Sequence, residues 1–313
     1  LTDGQRKGVG ECGLFRGLSI DDREDYEDQL KSLCRRINEN EEITQEELQS
    51  FPSIQMGYEM ALMSIKSNNT FELFPSKFTK GEDSIPINGL IWMGDPLFMK
   101  SQIDEKIAKG FNCIKLKIGA LDFNEEISLL REIRKYFDER QMILRVDSNG
   151  AFSPTEAKNK LKALENLSIH SIEQPIAKGQ YDVMEDLCIR SPIPIALDEE
   201  LIGVSEKKYR VELLDKIMPQ YLILKPSLLG GFRSCEEWIS LATERSIGWW
   251  VTSALESNIG LNAIAQWTFS LGLNGHQGLG TGSLFTNNFE SPLEVRNGYL
   301  TFNFNQNWNF PFL

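Results

Sequence analysis

From about residue 86 onward, short apolar runs alternate with longer amphipathic segments at a period of about 25 to 30 residues. The apolar runs are 87–93, 113–118, 142–146, 169–173, 194–197, 221–224, 248–252 and 277–280. Helical spacing of apolar residues marks 122–136, 153–167, 180–190, 207–214 and 234–245. Alternating strands and helices predict a parallel sheet of the α/β class, and eight strands fit closure into a (β/α)7β TIM-like barrel.

The residues before and after this repeat have a different pattern. Residues 1–20 are predicted to end a strand and enter a loop, followed by helices at 21–37, 44–50 and 52–67. The tail contains Asn297-Gly298 between two apolar stretches, which predicts a hairpin. We therefore expect an α+β capping domain at 1–85, a barrel at 86–290 and a segment at 291–313 that returns to the capping domain. Residues 2–5 resemble the middle of a hairpin, so we expect further residues before Leu1.

Two lysines interrupt the second apolar run of the barrel. In a strand, Lys115 and Lys117 point to one face, and the apolar residues between and beside them point to the other. Two like charges directed into an interior are unfavourable. Taken alone, the pattern is that of an edge strand with one solvated face.

The strands that follow change this interpretation, because a charged residue recurs at the carboxyl end of each of the next four. These residues are Arg145 and Asp147 on the third strand, Glu173 on the fourth, Asp198 on the fifth and Lys225 on the sixth. Each alone has an ordinary alternative: a loop acid, a surface ion pair or a solvated strand end. The carboxyl ends of barrel strands converge on one mouth, where active sites lie. The recurrence therefore favours a single site.

Asp147, Glu173 and Asp198 come from consecutive strands, and neighbouring strands lie about 4.8 Å apart. Three carboxylates at one point repel each other unless a cation lies between them. Mg²⁺ suits a few carboxylates with positions left for water and substrate, and Mn²⁺ is a possible substitute. We expect burial, a like-charged neighbour and the metal to lower the pKa of the lysines, so that one of them acts as a base.

Composition limits the classes of partner. The chain has 313 residues, 41% of them hydrophobic, and a formal net charge of -12. This charge argues against nucleic acid and against a basic membrane surface, and no apolar run is long enough to span a membrane. Five scattered cysteines without a CxxC pair favour reduced thiols and a cytoplasmic location. We expect a small-molecule substrate, and the sequence carries no signal for an oligomeric state.

The lysine pair, the three acids and Lys225 resemble the enolase superfamily, specifically its muconate-lactonizing-enzyme branch. The likeness covers essentially the whole chain and implies the capping domain as well as the barrel. The mandelate-racemase branch would need a catalytic histidine late in the barrel. The two histidines, His170 and His276, are not at the catalytic ends of strands and are predicted to be structural.

Within that branch, further details favour a member that eliminates water from a cyclohexadiene carboxylate. They are Arg145 and the segments 171–175, 224–231, 253–257 and 278–282. The implied reaction converts 2-succinyl-6-hydroxy-2,4-cyclohexadiene-1-carboxylate to o-succinylbenzoate through a metal-stabilised ene-diolate, in menaquinone biosynthesis. N-acylamino-acid racemases and dipeptide epimerases share the same lysines and acids and remain an alternative. A non-catalytic Mg²⁺ scaffold is disfavoured, because a scaffold needs no opposed lysines.

The resemblance also implies a role for each charged residue. Lys117 is expected to remove the proton and then protonate the departing hydroxyl, while Lys225 stabilises the intermediate from the other face of the ring. Lys115 is expected to maintain the protonation state of Lys117 and to contact the substrate carboxylate. Arg145 is expected to orient Lys117 or an acidic ligand.

Three substrate contacts are predicted on weaker grounds. Ser253 is expected to contact the succinyl group. Gly280 lies in a glycine-rich segment that either presents backbone N–H groups to an anion or forms a tight turn. Arg16 lies in the loop 14–19, which is expected to close over the barrel mouth in this family, although a solvated loop charge is the alternative.

Overall fold

A computed structural model describes residues 1–311. Seven parallel strands form one curled sheet in which neighbours in space are neighbours in sequence, from β2 to β8. The strands are β1 (Ile85–Pro86), β2 (Gly89–Ile91), β3 (Cys113–Lys117), β4 (Ile143–Asp147), β5 (Ile169–Glu173), β6 (Ile195–Leu197), β7 (Tyr221–Leu224), β8 (Gly248–Val251), β9 (Leu293–Arg296) and β10 (Tyr299–Phe302). This order is the one predicted for a parallel barrel.

The two edges of the sheet are joined by a two-residue segment. Gln277 pairs with Ile87 beside β2, and Gly278 pairs with Thr252 beyond β8, both in parallel. The backbone N–H of Asn88 donates to the carbonyl of Gln277 at 2.9 Å. The predicted eighth strand at 277–280 is therefore reduced to these two residues, which complete the ring and confirm the barrel.

Helices connect the strands and cover the outside of the sheet. They are α1 (Tyr26–Asn38), α2 (Gln45–Leu48), α3 (Pro52–Lys66), α4 (Pro96–Ala108), α5 (Phe123–Tyr136), α6 (Pro154–Leu164), α7 (Tyr181–Arg190), α8 (Lys207–Ile217), α9 (Pro226–Leu229), α10 (Gly231–Glu244) and α11 (Asn258–Ser270), with short 3₁₀ turns at Glu165–Leu167 and Glu199–Leu201. The predicted helices are confirmed within a few residues at most ends. The sequence analysis did not predict α4, α9 or α11.

The predicted start of the first helix at Asp21 is wrong. The helix begins at Tyr26, and Asp21 is fully buried before it. One carboxylate oxygen of Asp21 accepts hydrogen bonds from the backbone N–H and the hydroxyl of Ser53, at 2.9 and 2.6 Å. This acid anchors the preceding loop to α3 and does not belong to a first helical turn.

The C-terminal hairpin packs against the N-terminal part of the chain. Its turn has left-handed backbone at Asn297 and Gly298, with φ of 50° and 77°, as an Asn-Gly hairpin requires. Strand β10 pairs with β1, and Trp308 stacks on Phe71 with ring centroids 4.3 Å apart. The division at residues 85 and 290 stays a prediction, and the last two residues of the predicted segment 291–313 lie outside the described residues.

The N-terminal segment also reaches the barrel directly. The carboxylate of Glu11 accepts hydrogen bonds from the backbone N–H groups of Ser257 and Gly260, both at 2.8 Å, and so caps the start of α11. Gly10 lies so close to α3 that a Cβ there would stand 1.9 Å from the carbonyl oxygen of Gly57. Among residues 1–311, no helix is both long and apolar enough to cross a membrane.

Candidate active site

The two lysines of β3 point into the barrel and contact the same carboxylate. Lys115 Nζ lies 2.8 Å from Asp147 Oδ2 and 2.6 Å from Glu173 Oε2. Lys117 Nζ lies 2.6 Å from Asp147 Oδ2. Strand β3 lies between β2 and β4, and Lys115 is buried, so the edge-strand alternative is wrong.

Strand register explains why the acids lie close to these lysines. Lys117 pairs with Asp147 across β3 and β4, and Asp147 pairs with Glu173 across β4 and β5. Asp198 follows the end of β6 and accepts a short hydrogen bond from Lys225, which follows β7. Both partners of this pair are buried. The structure therefore brings together the three acids and three lysines that the sequence pattern singled out.

The carboxylates raise the pKa of the buried lysines. Burial alone would lower the pKa of Lys115, but the charges of Asp147 and Glu173 outweigh it and the pKa is raised. The pKa of Lys225 is likewise raised, because the neighbouring acids, Asp198 first among them, outweigh burial. For Lys115 and Lys225 the pKa is therefore raised, not lowered, in this arrangement, in which their ammonium groups sit directly on the acids.

The charge of Glu173 is not fully balanced by the residues around it. Burial and the charge of Asp147 raise the pKa of Glu173, and Glu173 Oε1 is buried without a hydrogen-bond partner. Within residues 1–311, no three His, Cys, Asp or Glu side chains are arranged as a metal cluster. Three buried carboxylates with an unpartnered oxygen are nevertheless the donor set of a hard divalent cation, so the residues present fit one.

A cavity of about 430 Å³ opens above these residues. Lys115, Lys117 and Lys225 line it on the polar side. The remaining wall is largely apolar and is formed by Phe15, Leu18, Leu90, Trp92, Met93, Leu228, Ala254 and Leu255. Such a cavity suits a small molecule with one charged end and an apolar body.

The three weaker candidates all line this cavity. The Ser253 hydroxyl is buried and lies 2.5 Å from the hydroxyl of Thr281. A Cβ at Gly280 would lie 3.3 Å from Ile87 Cδ1 and 3.7 Å from the carbonyl oxygen of Asn88, so this residue packs beside the start of β2. The Arg16 guanidinium is paired with Asp22 at 2.6 Å, and 77% of its side chain is exposed. Arg16 thus lies at the mouth but is neutralised by a neighbour in its own loop.

The prediction that Arg145 orients Lys117 or an acid is wrong. Its side chain points into the barrel below the mouth, where the guanidinium donates to the carbonyl of His276 at 2.9 Å. The guanidinium carbon lies 3.9 Å from the ring centroid of Trp250, a cation–π contact. Arg145 therefore packs the barrel interior one layer beneath the site.

The two histidines also lie in this lower part of the barrel. His170 stacks on Tyr221 with ring centroids 5.1 Å apart, and His276 Nε2 lies 2.7 Å from Asn112 Oδ1. Burial, with a further contribution from Arg145, lowers the pKa of each to about 4. Neither ring lines the cavity, which agrees with a structural role.

Two polar residues that the sequence analysis did not single out also line the cavity, Asn149 and Glu199. Lys117 Nζ donates to Asn149 Oδ1 at 2.7 Å, and Asn149 Nδ2 donates to Glu199 Oε1 at 2.8 Å. Each follows a predicted acid by one or two residues. Their position in the loops directly after the strands was therefore the sequence signal that could have identified them as site residues.

A further acid, Glu256, does not line the cavity but lies behind its wall, next to Ala254 and Leu255. It is 2% exposed, and its carboxylate accepts from the Ser227 hydroxyl at 2.6 Å and from the Ala254 N–H at 2.8 Å. No cation pairs with it among the described residues. Burial raises the pKa of Glu256 to about 7.

Comparison with known proteins agrees with this geometry. Residues 99–304 match the family described as enolase C-terminal domain-like. The o-succinylbenzoate synthase of Desulfotalea psychrophila is 47% identical, over 94% of this chain and 88% of that protein. The crystal structure of MenC from the same organism superposes with a TM-score of 0.88 at 46% identity, covering 96% of this chain and 92% of that one.

More distant relatives share less of the chain. The L-Ala-D/L-Glu epimerase of Bacillus subtilis is 25% identical over 50% of this chain and 42% of its own length. The predicted superfamily and branch are therefore confirmed. The chain belongs to the enolase superfamily and, within it, to the o-succinylbenzoate synthase family.

Proposed function

We propose that this protein is a lyase that dehydrates 2-succinyl-6-hydroxy-2,4-cyclohexadiene-1-carboxylate to o-succinylbenzoate, with Mg²⁺ as its metal. One observation carries the proposal: Lys117 and Lys225 face one cavity from opposite sides of the barrel, with three buried acids beneath them. Strands β3 and β7 stand four positions apart in a ring of eight. A flat ring bound between them presents one face to each lysine.

Asp147, Glu173 and Asp198 would hold the metal ion. When bound, a divalent cation supplies positive charge that stabilises the negative charge collecting on the substrate carboxylate. Mg²⁺ is the proposed ion because every donor is a hard carboxylate oxygen, and Mn²⁺ would substitute for it. Lys115 is buried between Asp147 and Glu173 and would add a fixed positive charge beside the substrate carboxylate.

Lys117 is the proposed proton carrier. In its neutral form the amine takes the proton from the ring carbon beside the carboxylate, and the C–H electron pair is delocalised onto that carboxylate, from which it returns to the ring as the C–O bond breaks. The ammonium formed then gives that proton to the departing hydroxyl as the C–O bond breaks. Water leaves and the ring becomes aromatic, so no external oxidant or reductant is needed. Lys225 remains an ammonium throughout and stabilises the electron-rich ring from its other face.

The other parts of the cavity fit this substrate class. The apolar wall would cover the ring and limit access of water to the reacting carbon. Ser253 and Gly280 line the cavity. A succinyl tail would lie against them, and the Arg16 loop would cover it. All five cysteines are free thiols, which supports a reducing compartment such as the cytoplasm.

The direct test is a spectrophotometric assay of o-succinylbenzoate formation, with the enzyme treated with EDTA and then reconstituted with Mg²⁺ or Mn²⁺. We expect turnover that EDTA abolishes and either ion restores. Lys117→Ala should reduce kcat by about 10²- to 10⁴-fold or more, as for loss of a general base. Lys135→Ala, on the outer helix α5, is the matched control. Absence of metal-dependent turnover would exclude the synthase assignment.

Racemase or epimerase chemistry uses the same pair of lysines, since one can remove a proton and the other return it on the opposite face. Exchange of the α-proton of an N-acylamino acid or a dipeptide in D₂O, followed by NMR, measures that activity separately. Exchange without dehydration of the cyclohexadiene would establish the alternative function.

A further inference from the structure

Asn149 connects Lys117, the proposed proton carrier, to Glu199. Within residues 1–311, the carboxylate of Glu199 has no other hydrogen-bond partner. Its amide oxygen accepts from Lys117 Nζ at 2.7 Å, and its amide nitrogen donates to Glu199 Oε1 at 2.8 Å. The other oxygen of Glu199 is buried and has no hydrogen-bond partner among the described residues. The three side chains line the same cavity.

The loop that carries Asn149 is held rigidly. Its backbone is left-handed, with φ of 44°, a conformation that asparagine tolerates better than most residues. The neighbouring Ser148 hydroxyl donates to the carbonyl of Gln174 at 2.8 Å, and the Gly150 N–H donates to the same carbonyl at 2.7 Å. The loop is thereby tied to the end of β5, and the amide has a defined direction.

Glu199 determines which end of the amide faces the lysine. A carboxylate accepts hydrogen bonds but cannot donate them, so the NH₂ end of Asn149 must face Glu199. The carbonyl end then faces Lys117, which has an N–H to donate whether it is charged or neutral. A neutral amine that gives one N–H to a fixed acceptor has its lone pair confined to the remaining directions.

Lys117 has a second hydrogen-bond acceptor, Asp147, which differs from Asn149 in the number of cations that contact it. Asp147 Oδ2 also accepts from Lys115 and belongs to the proposed metal set, so several cations compete for it. The amide of Asn149 is neutral and has no such competitor. We propose that Asn149, with its orientation set by Glu199, is a positioning residue that aims the Nζ atom of Lys117 at the reacting carbon. This inference rests on the proposed function, in which Lys117 carries the proton.

The test is Asn149→Gly, because glycine keeps the left-handed backbone while the amide is removed. Loss of a hydrogen bond to the charged or reacting amine should lower kcat by about 10- to 100-fold. We expect KM and Mg²⁺ affinity to stay within about two-fold, because the residue contacts the base rather than the substrate or the ion. The primary isotope effect, measured with substrate deuterated at the carbon that loses its proton, should increase. Asn40→Gly, also left-handed at φ of 57° but exposed and distant, is the matched control.

A crystal structure of the Mg²⁺-loaded Asn149→Gly variant supplies a readout that does not depend on turnover. We expect Lys117 Nζ to shift or to occupy several positions, with the strand backbone unchanged. A kcat within two-fold of wild type, an equal fall in metal affinity, or an unmoved Lys117 would each overturn the inference. If the wild-type enzyme does not turn over the cyclohexadiene, the proposed function fails, whereas the position of Lys117 in the variant still decides the role of Asn149.

Discussion

Glu256 makes the stability of this protein depend on pH in the direction opposite to most acids. The side chain is buried beside the cavity wall, where two hydrogen-bond donors contact it and no cation from residues 1–311 balances its charge. Replacing it by glutamine removes the charge and retains the shape. The glutamine oxygen can accept from the Ala254 N–H, and its NH₂ group can donate to the Ser227 hydroxyl.

The size of the effect follows from the pKa. Burial raises the pKa of Glu256 from 4.5 to about 7 in the folded protein. Between these values the folded state holds a proton that the unfolded state has released, so the free energy of unfolding falls as the pH rises. At 1.36 kcal/mol per pH unit, the full loss is about 3 kcal/mol and is complete above pH 7. Below pH 4.5 the acid is protonated in both states and this loss is absent.

Urea denaturation of wild type and Glu256→Gln, followed by tryptophan fluorescence at pH 5, 6, 7 and 8, measures this difference. We expect the two proteins to be similar at pH 5 and the variant to be more stable by about 2 to 3 kcal/mol at pH 8. Glu125→Gln, at an exposed position of α5, controls for the loss of one carboxylate. A stability difference that is the same at all four pH values would refute the reasoning.

Three further predictions concern the site, the capping segment and the lower barrel. Lys225→Met should lower kcat by about 10²- to 10³-fold in the dehydration assay, because a stabilising cation is lost. Calorimetry should show that Mg²⁺ still binds, and an unchanged kcat would exclude the role of Lys225. Gly10→Ala should destabilise the protein by about 1 to 3 kcal/mol in urea, because its Cβ would collide with the Gly57 carbonyl, whereas Gly275→Ala, with open space around it, should be nearly neutral. Burial lowers the pKa of His170 to about 4. The stability that this residue contributes above pH 6.5, up to about 3 kcal/mol, should therefore be lost as the pH falls toward 4. Acid unfolding of His170→Gln, followed by circular dichroism, should be weaker than that of wild type, and an unchanged transition would contradict the lowered pKa.

The charged residues of the site were predictable because strand geometry is regular. Alternation along β3 places Lys115 and Lys117 on one face, and parallel register brings Asp147 and Glu173 to the same level. Distances between side chains were not predictable in this way. Lys115 and Lys225 each contact a particular carboxylate oxygen, and these contacts raise the pKa of both lysines, where the sequence predicted lower values. The contacts depend on rotamers that the sequence pattern does not specify.

Elements were missed where tertiary contacts replace local signals. Helix α11 has ten buried residues among its thirteen, so it lacks the polar face that periodicity detects. Asp21 suits a first helical turn in sequence, but Ser53 holds it in the interior. Arg145 lies on the same face of its strand as Asp147, and only the packing against Trp250 shows that it belongs to a lower layer. Helix α4 did carry a signal, since Asp95 caps it ahead of Pro96.

The joint at Ile87 and Gln277 has a consequence for how the chain can fold. These residues are about 190 positions apart, and each edge of the sheet is linked to Gln277–Gly278 by isolated bridges. A contact of such long range forms late and slowly, since most of the chain must already be ordered around it. The hairpin of β9 and β10 adds a strand to β1, immediately before the same joint. A nascent chain that ends before Gly278 therefore has an open sheet with two unpaired edges, which are prone to association with other chains. The mouth of the barrel is thus completed only after residues 277 and 278 have been synthesised.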